Sequence, residues 1–191
     1  MSDHNEKFVA AIERALRQQP TSDLHSFLIN QGRGFTLSDR VNELGNGDSI
    51  YIYLNNPTEE TDYDVVLLPR STGRADLDVS FGATSGDAGT EADVHNLKSG
   101  SDREFSGTAE VSQTGDAGTL PSHGTTFIED FVPGGGQGAN IAAQVVDALA
   151  FTIDAGDNKL LELRNESGGN VDRIGLNVVL LEVDGTYKVV Q

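Results

Sequence analysis

The feature that most constrains the fold is an alternation of apolar and polar residues that begins after Gly34. Residues 75–81 (ADLDVSF) show it most clearly, because an acid or a serine separates successive apolar residues. A period of two is the repeat of a β-strand with one dry face and one wet face. Such runs, separated by turn residues, predict strands at 49–54, 63–68, 75–81, 104–111, 125–131, 148–153, 159–164 and 172–183, with a short edge strand at 187–190.

The number and spacing of these strands predict a mainly β protein. Roughly eight short strands with frequent turn signals are typical of an antiparallel sandwich or barrel and not of strand–helix–strand units. Between residues 83 and 124, Gly, Ser, Thr and Asp dominate and apolar residues are scarce. We therefore expect long exposed loops at 83–124, at one end of a sandwich, where contact surfaces usually lie.

The N-terminal region follows a different pattern. Apolar residues recur at helical spacing between Phe8 and Leu16, and a second short helix is expected to end at Gly32. The chain is accordingly divided into a helical arm, residues 1–33, which is a candidate docking segment, and a β-sandwich, residues 34–191. The apolar stripe of the arm needs a surface to lie against, either on its own sandwich or on a neighbouring subunit.

Charge restricts the partners. The chain has 30 acids and 13 bases, for a formal net charge of -17, so nucleic acid and anionic membrane surfaces are not expected partners. Asp exceeds Glu and Lys is scarce throughout the chain, as in proteins of halophiles, in which molar salt screens the self-repulsion. The absence of Cys excludes disulfides and thiolate sites. No apolar run is long enough to span a membrane or to serve as a signal peptide.

Few residues suggest chemistry, and we expect no catalytic residue and no bound cofactor. The glycine-rich stretch 133–140 lacks the third glycine of a dinucleotide loop and the Gly-Lys-Ser/Thr of a phosphate loop, so a turn between strands is favoured. The pair Ser122-His123 has no nucleophile-elbow sequence around it. Asp154 and Asp157 are weak candidate ligands for a structural cation in a tight turn, and a plain β-turn is the favoured alternative. Asn165 begins a glycosylation sequon.

Two stretches resemble virion surface proteins of tailed viruses. The first, 50–57 (IYIYLNNP), ends in Asn-Pro and is followed by 64–73 (DVVLLPRSTG) and the 76–81 strand. The second is 153–167 (IDAGDNKLLELRNES), which leads into the apolar strand 174–182. The likeness covers about a third of the chain and lies in the style of strands and turns.

This resemblance implies a jelly-roll sandwich that serves as a turret, decoration or fibre subunit. Together with the acidic composition, it implies a virus of halophilic archaea, with the chain located in the virion after assembly in the host cytoplasm. The implied partners are further copies of the chain, in a homo-oligomer, and other virion proteins such as the capsid shell. The family offers no catalytic residues to carry over.

Two other hypotheses remain open. A carbohydrate-binding or adhesion module of the same fold class would use the 83–124 loops as its contact surface, with a host-surface glycan as partner. A hydrolase is the weakest hypothesis, and it would depend on His123 or Asp154.

Overall fold

The structure is a computed structural model that describes residues 21–134 and 149–184. Within these residues the chain forms one helix and eleven strands. In chain order they are α1 (Thr21–Asn30), β1 (Gly34–Val41), β2 (Ser49–Asn55), β3 (Thr61–Ser71), β4 (Ala75–Phe81), β5 (Thr90–Glu91), β6 (His95–Asn96), β7 (Thr108–Gln113), β8 (Thr125–Val132), β9 (Leu149–Ile153), β10 (Asn158–Asn165) and β11 (Ile174–Asp184).

The strands form two antiparallel sheets that pack as a sandwich. The first sheet has the order β6-β1-β11-β3-β9, and the second has the order β5-β7-β2-β10-β4-β8. Leaving aside β5, β6 and β7, successive strands alternate between the sheets, except that β4 and β8 are neighbours in the second sheet. This is the strand order of a jelly roll. The predicted mainly β, jelly-roll-like sandwich with a short N-terminal helix is therefore confirmed.

The core lies between the sheets and follows from the alternation in the sequence. In β2, Ile50, Ile52 and Leu54 are fully buried, whereas Tyr51 and Tyr53 point to the outer face and are partly exposed. Burying an aliphatic side chain of this size contributes roughly 1.5–3 kcal/mol. The inward residues of the other long strands join the same cluster, so the pattern of period two is the main source of stability.

Helix α1 packs against the first sheet. It contacts β1 and β11, and it buries Leu28 while Phe27 remains exposed. The helix ends at Asn30 and is closed at Gly32, as predicted, because φ of +74° at this glycine permits two closing bonds. In these, the Gly32 N–H donates to Ile29 O (2.9 Å) and the Arg33 N–H donates to Leu28 O (2.9 Å). The first predicted helix of the arm lies outside the described residues.

The segment 83–124 is more than a set of end loops. Strand β6 pairs with β1 and so extends the first sheet, while β5 and β7 extend the second sheet beside β2. These additions lie on the same side of the sandwich, where β6 and β5 become the terminal strands of the two sheets. The predicted strand 104–111 begins only at Thr108, since the ring of Phe105 packs against Phe35 and Tyr63 instead (centroids 5.8 and 5.0 Å away).

Two further expectations fall partly or wholly outside the described residues. These are the edge strand at 187–190 and most of the glycine-rich stretch 133–140, of which only Pro133 and Gly134 are described. No helix in the described part of the chain is long and apolar enough to cross a membrane.

Candidate functional site

One side of the sandwich ends in uncovered strands. There the sheets terminate at β9 and β8, and no strand among the described residues pairs with the outer edge of β8. Most of β8 is exposed, including the rings of Phe127 (43%) and Phe131 (58%). A strand of eight residues with a free edge and exposed aromatic rings is a template for contact with another chain.

Three phenylalanines cluster at the edge of the sandwich where the two sheets end in β8 and β9. The rings of Phe81 and Phe127 have centroids 6.0 Å apart at an interplanar angle of 47°. Those of Phe127 and Phe151 are 5.8 Å apart at 82°. The three rings line a cleft of about 400 Å³, which we call the aromatic mouth. Its remaining lining residues are polar: Thr152, Asp154, Asp157 and Lys159.

The two acids that the sequence suggested as cation ligands lie at the rim of this mouth. They bound a tight turn in which the Asp157 N–H donates to Asp154 O (3.1 Å) and Gly156 has φ of +77°. The buried Lys159 ammonium donates to the Asp157 carboxylate and lies 5.8 Å from the centre of the Phe81 ring. A cation at Asp157 would have to displace this ammonium. Within residues 21–134 and 149–184, no three His, Cys, Asp or Glu side chains form a metal-binding group.

Asn56 fixes the loops next to the mouth. Its side chain is buried, and its amide nitrogen donates to Thr61 O (2.7 Å) and to Asp154 O (3.1 Å). Its amide oxygen accepts from the Thr58 hydroxyl (2.6 Å). The Asn-Pro pair on which the resemblance drew therefore connects the β2–β3 loop to the β9–β10 loop.

His123 belongs to a hydrogen-bonded chain on the outer face of the second sheet. Its Nδ1 lies 3.1 Å from Ser80 Oγ, and its Nε2 is hydrogen-bonded to the Glu162 carboxylate. Ser49 Oγ donates to the other oxygen of Glu162 (2.5 Å). A serine, a histidine and a glutamate that are hydrogen-bonded in this order resemble the relay that activates a serine nucleophile. Ser80 is fully buried, however, so a substrate cannot reach its hydroxyl. Ser122, the neighbour noted in the sequence, bonds the Thr84 hydroxyl instead (2.5 Å).

Three acids lie side by side on the same face. Asp78 of β4 stands directly opposite Glu162 of β10 and, on its other side, opposite Glu129 of β8. Burial, followed by the charge of Glu162, raises the pKa of the Asp78 carboxyl, while His123 acts in the opposite direction. Like charges directly opposite each other destabilise a sheet. This row of three acids therefore destabilises the second sheet locally.

A second cleft, polar in character, lies on the side of the sandwich formed by β5, β6 and β7. It has a volume of about 390 Å³ and runs between β1 and the short strands of the 83–124 segment. Hydroxyl, carboxylate and imidazole groups contribute to its lining, namely those of Thr36, Ser38, Glu91, Asp93 and His95. These are groups that exchange hydrogen bonds with polar ligands.

The glycosylation sequon is buried. Asn165 has no exposed surface, and its amide nitrogen donates to Leu44 O (2.9 Å) and Gly169 O (2.8 Å). Its amide oxygen accepts from the Ser167 N–H (3.0 Å). An enzyme that modifies folded protein cannot reach this nitrogen, so the sequon serves the turn that follows β10.

Comparison with models of known protein families finds no match, and comparison with curated protein sequences finds none either. Function is therefore inferred from the sites described above.

The aromatic mouth was not predicted from the sequence, although one signal for it exists. In β8 the alternation breaks down, because Phe127 and Ile128 are adjacent, as are Phe131 and Val132. A strand with apolar residues on both faces needs a partner on each of them. The meeting of Phe81 with Phe151, by contrast, depends on how two separate sheets come together.

Proposed function

We propose that this chain is a non-enzymatic structural subunit of a virus particle. In this proposal it is a turret, decoration or related head–tail surface protein of a tailed virus of halophilic archaea. It assembles as a homo-oligomer on a shell of other virion proteins. The jelly roll is a fold of viral capsid proteins, although lectins and cupins also use it, so fold alone does not decide between functions.

The observation that carries the proposal is the free, aromatic edge of β8. Soluble monomeric proteins usually protect such edges with charge, proline, a bulge or a covering loop, and β8 has Glu129, Asp130 and an irregular register with β4, yet its aromatic rings remain exposed. On the opposite side of the sandwich the terminal strands β5 and β6 have only two residues each, whereas the terminal strand β8 has eight residues and presents Phe131 with 58% of its surface exposed. A long terminal strand with exposed aromatic rings is suited to contact with a second subunit.

Charge supports the environment that we propose. A subunit with a net charge of -17 repels its own copies in dilute buffer. At about 1 M salt the Debye length is roughly 3 Å, so the repulsion is screened and apolar contacts dominate. Assembly through β8 is therefore expected in molar salt, and dissociation is expected when the salt is removed.

Labelling of the source particle tests the virion assignment. We would raise antibodies against the purified chain, attach gold, and image halophilic virus particles from the same source by electron microscopy. The proposal predicts gold on the outer surface at symmetry-related positions. Gold on cells or free protein, with bare particles, would contradict it.

A carbohydrate-binding or adhesion module is the second candidate, and the polar cleft favours it. Sugars are bound through hydroxyl and carboxylate groups such as those of Ser38, Glu91 and Asp93, which line this cleft. A glycan array at molar salt tests this hypothesis, with the wild-type protein compared with the variants Glu91→Gln and Asp93→Asn. Binding that both variants lose supports the module, and an array without signal rejects it.

A further inference from the structure

The aromatic mouth already holds one organic cation, which belongs to the chain itself. The Lys159 ammonium lies 5.8 Å from the centre of the Phe81 ring, within the roughly 6 Å over which the negative face of an aromatic ring attracts a cation. Lys159 is buried, so its ammonium is largely withdrawn from water where it meets the ring. The mouth therefore brings aromatic faces and a positive charge together.

Two further rings of the mouth form a corner. Phe127 is 43% exposed, and its ring meets that of Phe151 at 82°, with the centroids 5.8 Å apart. A rounded group placed in such a corner contacts both rings at once. A sugar ring needs a flat platform on which to stack, and the rings of Phe81, Phe127 and Phe151 share no common plane. The corner therefore suits a compact, rounded ligand.

The polar groups of the mouth favour a cation that has no N–H to donate. The Asp157 carboxylate accepts from the Lys159 ammonium, and the Thr152 hydroxyl donates to Asp64 (2.9 Å). A hydrated ammonium that entered would exchange its water for groups that are already paired, and an unsatisfied polar group in such a place is costly. A quaternary ammonium carries its charge on methyl groups and needs no acceptor. The Asp154 carboxylate in the lining supplies the opposite charge.

The size of the mouth and the charge of the chain both fit a small organic cation. The cleft has a volume of about 400 Å³, which lies within the roughly 300–1,000 Å³ of small-molecule sites. The net charge of -17 raises the concentration of cations near the surface. We propose that the aromatic mouth binds a small quaternary ammonium compound. Its methyl groups contact Phe127 and Phe151, and its charge faces Asp154.

Choline tests the proposal, because it has a neutral isostere, neohexyl alcohol, in which a carbon atom replaces the nitrogen. The full-length chain with isotope-labelled phenylalanine is titrated with choline chloride in place of sodium chloride, so that the ionic strength stays constant and molar. The alcohol is titrated in sodium chloride at the same total salt. Nuclear magnetic resonance of the Phe127 and Phe151 rings reports binding.

We expect a saturable shift of these ring resonances with choline. The alcohol should bind at least about threefold more weakly, since only the cation gains from the ring quadrupole. Equal affinity for the two compounds would show that the mouth takes any apolar group of this shape, and the proposal would be wrong. A titration with choline that shows no saturable shift would overturn it as well.

A matched pair of variants assigns binding to the mouth. Phe127→Leu keeps an apolar side chain and removes the ring, so it should weaken choline binding at least about threefold and leave the affinity for the alcohol nearly unchanged. Phe27→Leu makes the same change at an exposed ring on α1 (56%) and should alter neither affinity. Choline binding that is equally strong in both variants would place the site elsewhere.

Lys159→Met provides a test in the opposite direction. Methionine fills the buried position without a charge, so the variant removes a cation that repels the ligand and leaves the Asp157 carboxylate unpaired. Choline should bind at least about twofold more tightly, because partly buried charges are screened little by salt, and the alcohol should not respond. Unchanged or weaker choline binding by the variant, with folding verified by a thermal melt, would contradict the proposal. All titrations use the isolated subunit, so their outcome is separable from that of virion assembly.

Discussion

Glu182 accepts two hydrogen bonds from the guanidinium of Arg103, a residue that lies far away in the sequence. Arg103 Nε is 2.9 Å from one carboxylate oxygen, and its terminal nitrogen bonds the other. Arg33 Nε is 3.9 Å from the same carboxylate. Because Glu182 is buried at the end of β11, this pair fastens the loop before β7 over one end of the sandwich. Phe105 in that loop packs edge-on against Tyr63.

Removing the charge of Glu182 should therefore weaken the fold. Glu182→Gln leaves the Arg103 guanidinium with a neutral partner, and we expect a loss of about 1–3 kcal/mol. The control is Glu166→Gln, because Glu166 pairs with Arg164 at the surface (2.9 Å), and such pairs contribute about 0–1 kcal/mol. Denaturant unfolding in molar salt measures both variants. Equal losses would show that the loop is not held by this pair.

Asn56→Ala tests the junction between the β2–β3 and β9–β10 loops. The substitution removes the amide donor to Asp154 O, whereas Thr61 O keeps the hydroxyl of Thr58 as a donor (2.9 Å). One unsatisfied buried group costs about 1–3 kcal/mol, so a loss of about 1–3 kcal/mol is expected. Asn170→Ala, at an exposed position, should change the free energy of unfolding by less than about 0.5 kcal/mol. A loss at Asn56 as small as that at Asn170 would refute the role we assign to Asn56.

The acid row predicts a stabilising substitution. Asp78→Asn removes a negative charge that stands between Glu162 and Glu129, and it should stabilise by about 0.2–1 kcal/mol in low salt. The gain should shrink in molar salt, where screening already relieves the repulsion. Asp76→Asn is the control. Asp76 stands opposite Arg164 of β10 and also forms an ion pair with Arg74 (3.7 Å). Removing its charge should therefore not stabilise the protein.

The dependence on pH follows from the raised pKa of the Asp78 carboxyl. Because the pKa of Asp78 is higher in the folded protein than in the unfolded chain, the folded protein binds the proton more tightly. The ionised carboxylate therefore destabilises the fold, and the effect is complete once pH has risen through the raised pKa. The advantage of Asp78→Asn should thus be complete at neutral pH and vanish below about pH 3.8, the ordinary value for Asp. Thermal melts of both proteins from acid to neutral pH measure it. An advantage that grows towards acid would contradict the sign.

The sequence anticipated those parts of the fold that local patterning determines. The segments 49–54 and 75–81 became β2 and β4 almost residue for residue, because each has one buried and one exposed face. Strands β5 and β6 have only two residues each and carry no periodic signal. Their existence depends on pairing with distant strands, which local propensity does not encode.

Candidate sites were less predictable for the same reason. Asp154 and Asp157 were identified from turn chemistry, but their neighbour Phe81 enters the mouth only because β4, β8 and β9 converge there. The burial of Ser80, which closes off the nucleophile relay at His123, likewise depends on its position in a central strand of the second sheet.

The central claim is that the free edge of β8 assembles copies of this chain. Light scattering coupled to size exclusion in molar salt tests it directly, with wild type beside Phe131→Ser and Phe27→Ser. The control Phe27 is exposed to a similar extent (56% against 58%) but lies on α1. We predict a defined oligomer for wild type and for Phe27→Ser, and a dissociation constant raised at least about tenfold, or about 1.4 kcal/mol, for Phe131→Ser. A wild-type protein that is strictly monomeric at all concentrations would contradict the account.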